Sequence, residues 1–161
     1  MFERRSSGPV GASTFLSHSS ADGELVVGAI RVLESHGAAV YVDKKDGSLP
    51  PYTDKSTAKI LKNRISESQK FVLLASEQSK DSRWVPWELG LADGYKGLGN
   101  VAIFPAVESK GRDAWTNWEY LGLYDRIIWG DHDSYSGKIW MVIHGDSYTA
   151  TELGKWLTSV R

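Results

Sequence analysis

Residues 71–75 read FVLLA, five apolar side chains in a row closed by Ser76. A strand with one wet face alternates apolar and polar residues. An unbroken run this short instead predicts a strand buried on both faces, near the middle of a covered sheet. Working outward toward the N-terminus, Ala58, Leu61 and Ile65 recur at helical spacing. The preceding stretch, Asp43 to Lys55 (DKKDGSLPPYTDK), carries Gly47, Pro50 and Pro51, which exclude regular structure. Ala38 to Val42 (AAVYV) reads as a strand. Leu25, Val26, Ala29, Ile30 and Leu33 mark a helix, opened by Ser19 with Asp22 three residues on and stopped at Gly37. Ser13 to Ser17 (STFLS) is the first strand of the series.

Toward the C-terminus a helix containing Glu88 comes next, then Val101 to Val107 (VAIFPAV) as a fourth strand. Arg126 to Trp129 and Ile139 to Ile143 read as further strands. Leu153, Trp156, Leu157 and Val160 form the apolar stripe of a last helix. Strands alternating with helices imply right-handed crossovers, hence an α/β fold with a mostly parallel sheet and helices on both faces. About five strands in the order 2-1-3-4-5 are expected, with Phe71 to Ala75 near the centre. Ligands of such sheets bind beyond the carboxyl ends of the strands. The loops at those ends are His18 to Ser20, the stretch from Asp43 onward, and the run from Glu77 to Glu88.

Composition narrows the function classes. A chain of 161 residues with 41% apolar and 24% charged content is large enough for one domain with one core. Residues 1–11 read as a flexible tail and residues 12–161 as a single domain. The net charge of −1 gives no reason to expect nucleic acid or an anionic membrane as partner. The absence of cysteine excludes disulfides, thiolate catalysis and cysteine-bound metal, and fits a cytoplasmic location. No apolar run approaches the length of a membrane helix, and the first residues lack the apolar stretch of a secretory signal. His18, His36, His132 and His144 are scattered without metal-ligand spacing, so no metal is expected.

The rim loops hold the candidate chemistry. Ser17-His18-Ser19-Ser20 suits either a bound phosphate or simple helix capping. Asp43 either opens a turn or binds a hydroxyl in the cleft. Ser82 to Gly90 (SRWVPWELG) sets two tryptophans and a proline around one carboxylate, Glu88. Trp84 lies four residues before it, one helical turn away. Pro86 requires the first turn of the helix, where its missing N–H costs little. As a first-turn residue Glu88 has two readings: a partner of the helix dipole, or a catalytic carboxylate. Trp115, Trp118, Trp129, Trp140 and Trp156, five of the seven tryptophans, are most simply core.

Four of these stretches, FLSHSSAD (Phe15 to Asp22), VYVD (Val40 to Asp43), FVLLAS (Phe71 to Ser76) and SRWVPWELG, stand in an order and spacing that resemble a TIR (Toll/interleukin-1 receptor) domain. Trp84-x-x-x-Glu88 is similar to the WxxxE pattern of bacterial TIR enzymes, including stand-alone proteins of Thoeris-type antiphage systems. The resemblance runs from about Ser13 to Val107. It implies a flavodoxin-like fold and cleavage of NAD+ at the nicotinamide–ribose bond, with NAD+ as substrate and no separate cofactor. By motif position Glu88 corresponds to the catalytic glutamate, and Ser17, His18, Asp43 and Trp84 to substrate-binding positions. It also implies self-association through TIR–TIR contacts and a downstream effector that senses the nucleotide product. Lys44 to Ser56 is longer than the family's minimal BB loop, so its contacts do not carry over.

A lone carboxylate suits that reaction. Glycosidases ordinarily need two, because one must protonate a poor leaving group. Nicotinamide leaves NAD+ as a neutral molecule, so a single carboxylate facing an oxocarbenium-like ribosyl centre suffices, by electrostatics or by covalent capture. Two other readings stand beside this one. One is a TIR module that assembles partners without catalysis, which the presence of Glu88 disfavours. The other is a nucleoside deoxyribosyltransferase-like enzyme with a glutamate nucleophile. A phosphoreceiver domain would need acidic residues where the first strand ends in Ser17-His18.

Overall fold

The computed structural model describes residues 2–4, 13–43, 55–77, 79, 82, 84–106, 122–145, 147 and 149–160; of residues 2–4, 43 and 84 it describes the backbone alone. The strands are β1 (Phe2–Arg4), β2 (Ser13–Ser17), β3 (Ala39–Asp43), β4 (Lys70–Ala75), β5 (Val101–Pro105), β6 (Asp125–Asp131), β7 (Lys138–Ile143) and β8 (Ala150–Glu152). The helices are α1 (Gly23–Ser35), α2 (Lys55–Glu67), α3 (Trp84–Lys96) and α4 (Leu153–Thr158). All eight strands form one sheet in the order β1-β3-β2-β4-β5-β6-β7-β8. The five strands β3-β2-β4-β5-β6 run parallel, in the expected order 2-1-3-4-5 when counted from Ser13.

The expected five-stranded sheet is therefore the centre of a wider, mixed one. At one edge β1 pairs antiparallel with β3, Phe2 beside Asp43. β1 lies within the segment read as a tail, and three residues show no period from which a strand could be inferred. At the other edge β7 pairs antiparallel with β6, and β8 antiparallel with β7.

β4 is buried along its whole length, as its apolar run requires. Its side chains alternate between two cores. Val72 and Leu74 join Leu16, Val40, Ala102 and Phe104 beneath α1 and α4. Phe71, Leu73 and Ala75 join Phe15, Val101 and Ile103 beneath α2 and α3. Phe15 and Phe71, paired across β2 and β4, stack with ring centroids 5.6 Å apart. Fully burying side chains of this size contributes about 1.5–3 kcal/mol each, which fixes the register of the central strands.

The caps follow the sequence. Ser19 and Asp22 form a reciprocal capping box before α1, and Gly37 takes φ 96° after it. Several expectations need correction. The fourth strand ends at Pro105. Leu25, expected on the buried stripe of α1, is exposed, and Val160 lies beyond the end of α4, also exposed. Trp156 is core, Trp140 is half-buried, and Trp129 is 53% exposed, in the outer half of β6 where the burial pattern opens to solvent. Trp129 packs instead on Trp140 directly across the strand pair, ring centroids 5.4 Å apart. Trp115, Trp118, Val107 and the loop residues 44–54 lie outside the described residues.

Candidate active site

Strand alternation decides where Ser17 points. It follows Phe15 by two positions, so its side chain leaves β2 on the face that α2 and α3 cover. Helical spacing decides where Glu88 points. Val85, Leu89 and Ala92 form the buried stripe of α3, and Glu88 fills the remaining position of the i, i+3, i+4, i+7 set. A carboxylate thus occupies a core position, with 0% exposure.

The two meet at the carboxyl end of β2. The Ser17 hydroxyl, itself buried, donates a short hydrogen bond to Glu88 Oε2. Burying an anionic carboxylate costs free energy unless donors compensate it, so a leucine here would be the simpler choice for packing alone. The placement corrects the expectation that Glu88 is a first-turn residue. α3 begins at Trp84, putting Glu88 in the second turn, and no acidic residue sits in the first. The dipole-partner reading loses its basis, because that effect falls off beyond the first turn. Pro86 is the third residue of α3, within the first turn as its missing N–H requires. The turn is held from outside by Ser82, whose Oγ accepts from the Val85 amide at 3.3 Å.

The other candidates surround this pair. His18 follows Ser17 and its Nδ1–H donates to the Ser19 carbonyl oxygen at 2.8 Å, orienting the half-buried ring at the loop's start. Asp43 ends β3. Leu16 lies beside Val42 in the sheet, so Ser17 and Asp43 leave it on adjacent strands at the same rim. The Asp43 side chain lies outside the described residues. Trp84 opens α3 one turn before Glu88, and its side chain likewise lies outside them. Trp87, half-buried, packs against the core beside Leu89.

Two features escaped sequence reading. The burial of Glu88 is written in the spacing Val85, Glu88, Leu89, Ala92, which the adjacent Pro86 and the two tryptophans, signals of a helix start, obscure. Ser76 and Ser79, polar residues at the end of β4, hydrogen bond into the same rim. They carry no motif recognisable by themselves.

Comparison with known proteins gives the family. A profile of the TIR domain matches residues 14–135. A curated protein of Bacillus cereus (strain MSX-D12), described as "Probable 3' cyclic ADP-D-ribose synthase ThsB'", is 37% identical over 146 residues, covering 89% of this chain and 74% of its own length. The match includes Ser17, Asp43, Trp84 and Glu88, and its extent beyond the four motifs carries the likeness into the second half of the sheet. By that coverage, the chain belongs to the TIR domain family.

Proposed function

We propose that this protein cleaves NAD+ at the nicotinamide–ribose bond and that the ribosyl centre is then captured within the same molecule, giving a cyclic ADP-ribose. The carrying observation is Glu88: a fully buried carboxylate on a core stripe, hydrogen bonded to Ser17 at the ligand-binding end of a parallel sheet. The product class rests on the Bacillus cereus relative, whose name is that of a cyclic ADP-ribose synthase.

The chemistry asks little of the protein. The C–N bond breaks with its electron pair going to the nicotinamide nitrogen, which leaves neutral. Positive charge develops at the ribosyl carbon, and the Glu88 carboxylate stabilises it in a water-poor site where electrostatics are strong. A hydroxyl of the same dinucleotide then attacks that carbon, forming a C–O bond, and its proton passes to solvent, so that NAD+ gives the cyclic nucleotide, nicotinamide and one proton. Ser17 holds one carboxylate oxygen, so the charge is oriented before substrate arrives and little reorganisation remains for the reaction step. His18, Asp43 and Trp84 supply the remaining contacts with NAD+.

Among the described residues no helix is long and apolar enough to cross a membrane. The setting that fits this reading is the cytoplasm, with the cyclic nucleotide acting as a signal to an effector in antiphage defence. Self-association of TIR domains accompanies it, so turnover per molecule should rise with protein concentration. Incubating concentrated protein with NAD+ and resolving the products by mass spectrometry tests the reading. Nicotinamide with a cyclic product supports it; intact NAD+ at every concentration, or exchange of deoxynucleoside bases instead, contradicts it.

A further inference from the structure

Asp22 is 3% exposed, and the proposed chemistry does not use it. Its Oδ2 accepts from the Ser19 amide at 3.0 Å, and its Oδ1 accepts from the Ser76 hydroxyl at 2.5 Å. Ser76 stands immediately after β4, fifty-four positions from Asp22 in sequence. The bond therefore ties the loop after β2 to the loop after β4.

The connection continues toward Glu88. The Ser76 amide donates to Ser79 Oγ at 2.9 Å, and Ser79 Oγ donates to the Leu74 carbonyl at 3.0 Å. The Ser82 amide donates to the Ser79 carbonyl at 3.2 Å, and Ser82 Oγ receives the Val85 amide in the first turn of α3. One turn later Glu88 meets Ser17. The result is a closed circuit: Ser17, Ser19, Asp22, Ser76, Ser79, Ser82, the first turn of α3, Glu88, and back to Ser17.

From this circuit we infer that Asp22 and Ser76 are positioning residues, a strut that fixes the Ser17–His18 loop against Glu88. Their role presupposes the NAD+-cleaving centre proposed above. The physical case is that the reaction needs the carboxylate and the loop held in one relation, and the Asp22–Ser76 bond joins the loop after β2 to the segment that leads into α3. Buried charge-assisted hydrogen bonds are shorter and stronger than neutral ones, and a buried Asp22 without Ser76 would lose one of them. A displacement of about 1 Å between reacting groups costs on the order of 100-fold in rate. An ordinary loop staple would lower stability and leave turnover unchanged. A strut lowers kcat beyond its effect on stability.

The test uses Ser76→Ala, Ser76→Thr and, as a stability control, Ile65→Val in the core beneath α2. Ser76→Ala is expected to lower kcat for nicotinamide release roughly 10- to 100-fold with KM nearly unchanged, because it disturbs the reacting geometry rather than binding. Ser76→Thr, which keeps the hydroxyl, is expected to restore most of the rate. Hydrogen exchange should show the Ser19 amide losing protection in Ser76→Ala and keeping it in Ser76→Thr. Turnover of Ser76→Ala near wild type, or a loss that Ile65→Val reproduces at equal melting temperature, would overturn the inference. If the wild type releases no nicotinamide, the reading of the site has failed. The exchange data still decide the strut in that case, unchanged Ser19 protection overturning it.

Discussion

Ser17 and Glu88 lie seventy-one positions apart in the chain and share a buried hydrogen bond, the serine hydroxyl donating to the glutamate carboxylate. The last residue of β2 and a core position of α3 are brought together because both sit on the face of the sheet that α2 and α3 cover. Neither element would need a polar residue there to pack.

Removing the serine hydroxyl should therefore be costly. Ser17→Ala takes a donor from a buried carboxylate, and a hydrogen bond to a charged group is worth about 1–3 kcal/mol once the stranded partner is included. Urea unfolding should show a lower midpoint with an unchanged slope, and nicotinamide release should slow. A midpoint equal to wild type would mean that Glu88 has no need of Ser17.

Replacing the pair by apolar residues should have the opposite effect on stability. In Ser17→Ala/Glu88→Leu the leucine continues the stripe of Val85, Leu89 and Ala92. Replacing both partners of a buried hydrogen bond by apolar groups of similar shape is nearly neutral or stabilising, whereas removing one partner strands the other. The double variant is expected to melt at or above the wild-type temperature while cleaving no NAD+. A less stable double variant would show that the carboxylate serves packing after all.

Much of this fold was legible in the sequence, for physical reasons that differ by element. The apolar run of β4 admits one environment, and the helical stripe of Leu61 and Ile65 admits one face. The capping box at Ser19 is a local interaction and so is written locally. β6 and β7 carry apolar patterns of their own, whereas β1 and β8 were harder, because an edge strand is stabilised by pairing with whatever edge is free, which a local pattern does not encode. Trp129 was misplaced because a tryptophan gains as much from a cross-strand partner as from a core. In the candidate site, the motifs pointed to Ser17 and Glu88, which the fold brings into contact. The support from Asp22 and Ser76 depends on two loops meeting, which no short spacing reveals.

Among the described residues, two groups near the far end of α3 contribute to the alkaline stability profile. Burial lowers Lys96 from 10.5 to about 8, although its ammonium donates to the Ser68 carbonyl. Between pH 8 and 10.5 the unfolded chain then binds a proton at this lysine that the folded chain does not, so this contribution makes stability rise with pH across that window. Tyr124 is pushed from 10.0 up to about 12 by burial, with the Asp93 carboxylate that accepts its hydroxyl proton at 3.2 Å adding to the shift. Between 10 and 12 the folded chain keeps a proton that the unfolded chain releases, so stability falls. Thermal melts across alkaline pH should show the rise vanish in Lys96→Met and the fall weaken in Tyr124→Phe. Unaltered profiles in both variants would contradict the assignment.

The central claim is that the charge of Glu88, rather than its shape, drives cleavage of NAD+. Glu88→Gln keeps the size and an oxygen to receive the Ser17 hydroxyl, and removes only the charge. Losing one preorganised electrostatic partner costs on the order of 100- to 1000-fold in rate, and a lost nucleophile costs more. The decisive measurement is nicotinamide release by purified Glu88→Gln beside wild type, with both melting temperatures recorded. Glu88→Gln is expected to melt at or above the wild-type temperature and to lose turnover by at least that factor. A variant that melts normally and still releases nicotinamide at close to the wild-type rate would contradict the claim.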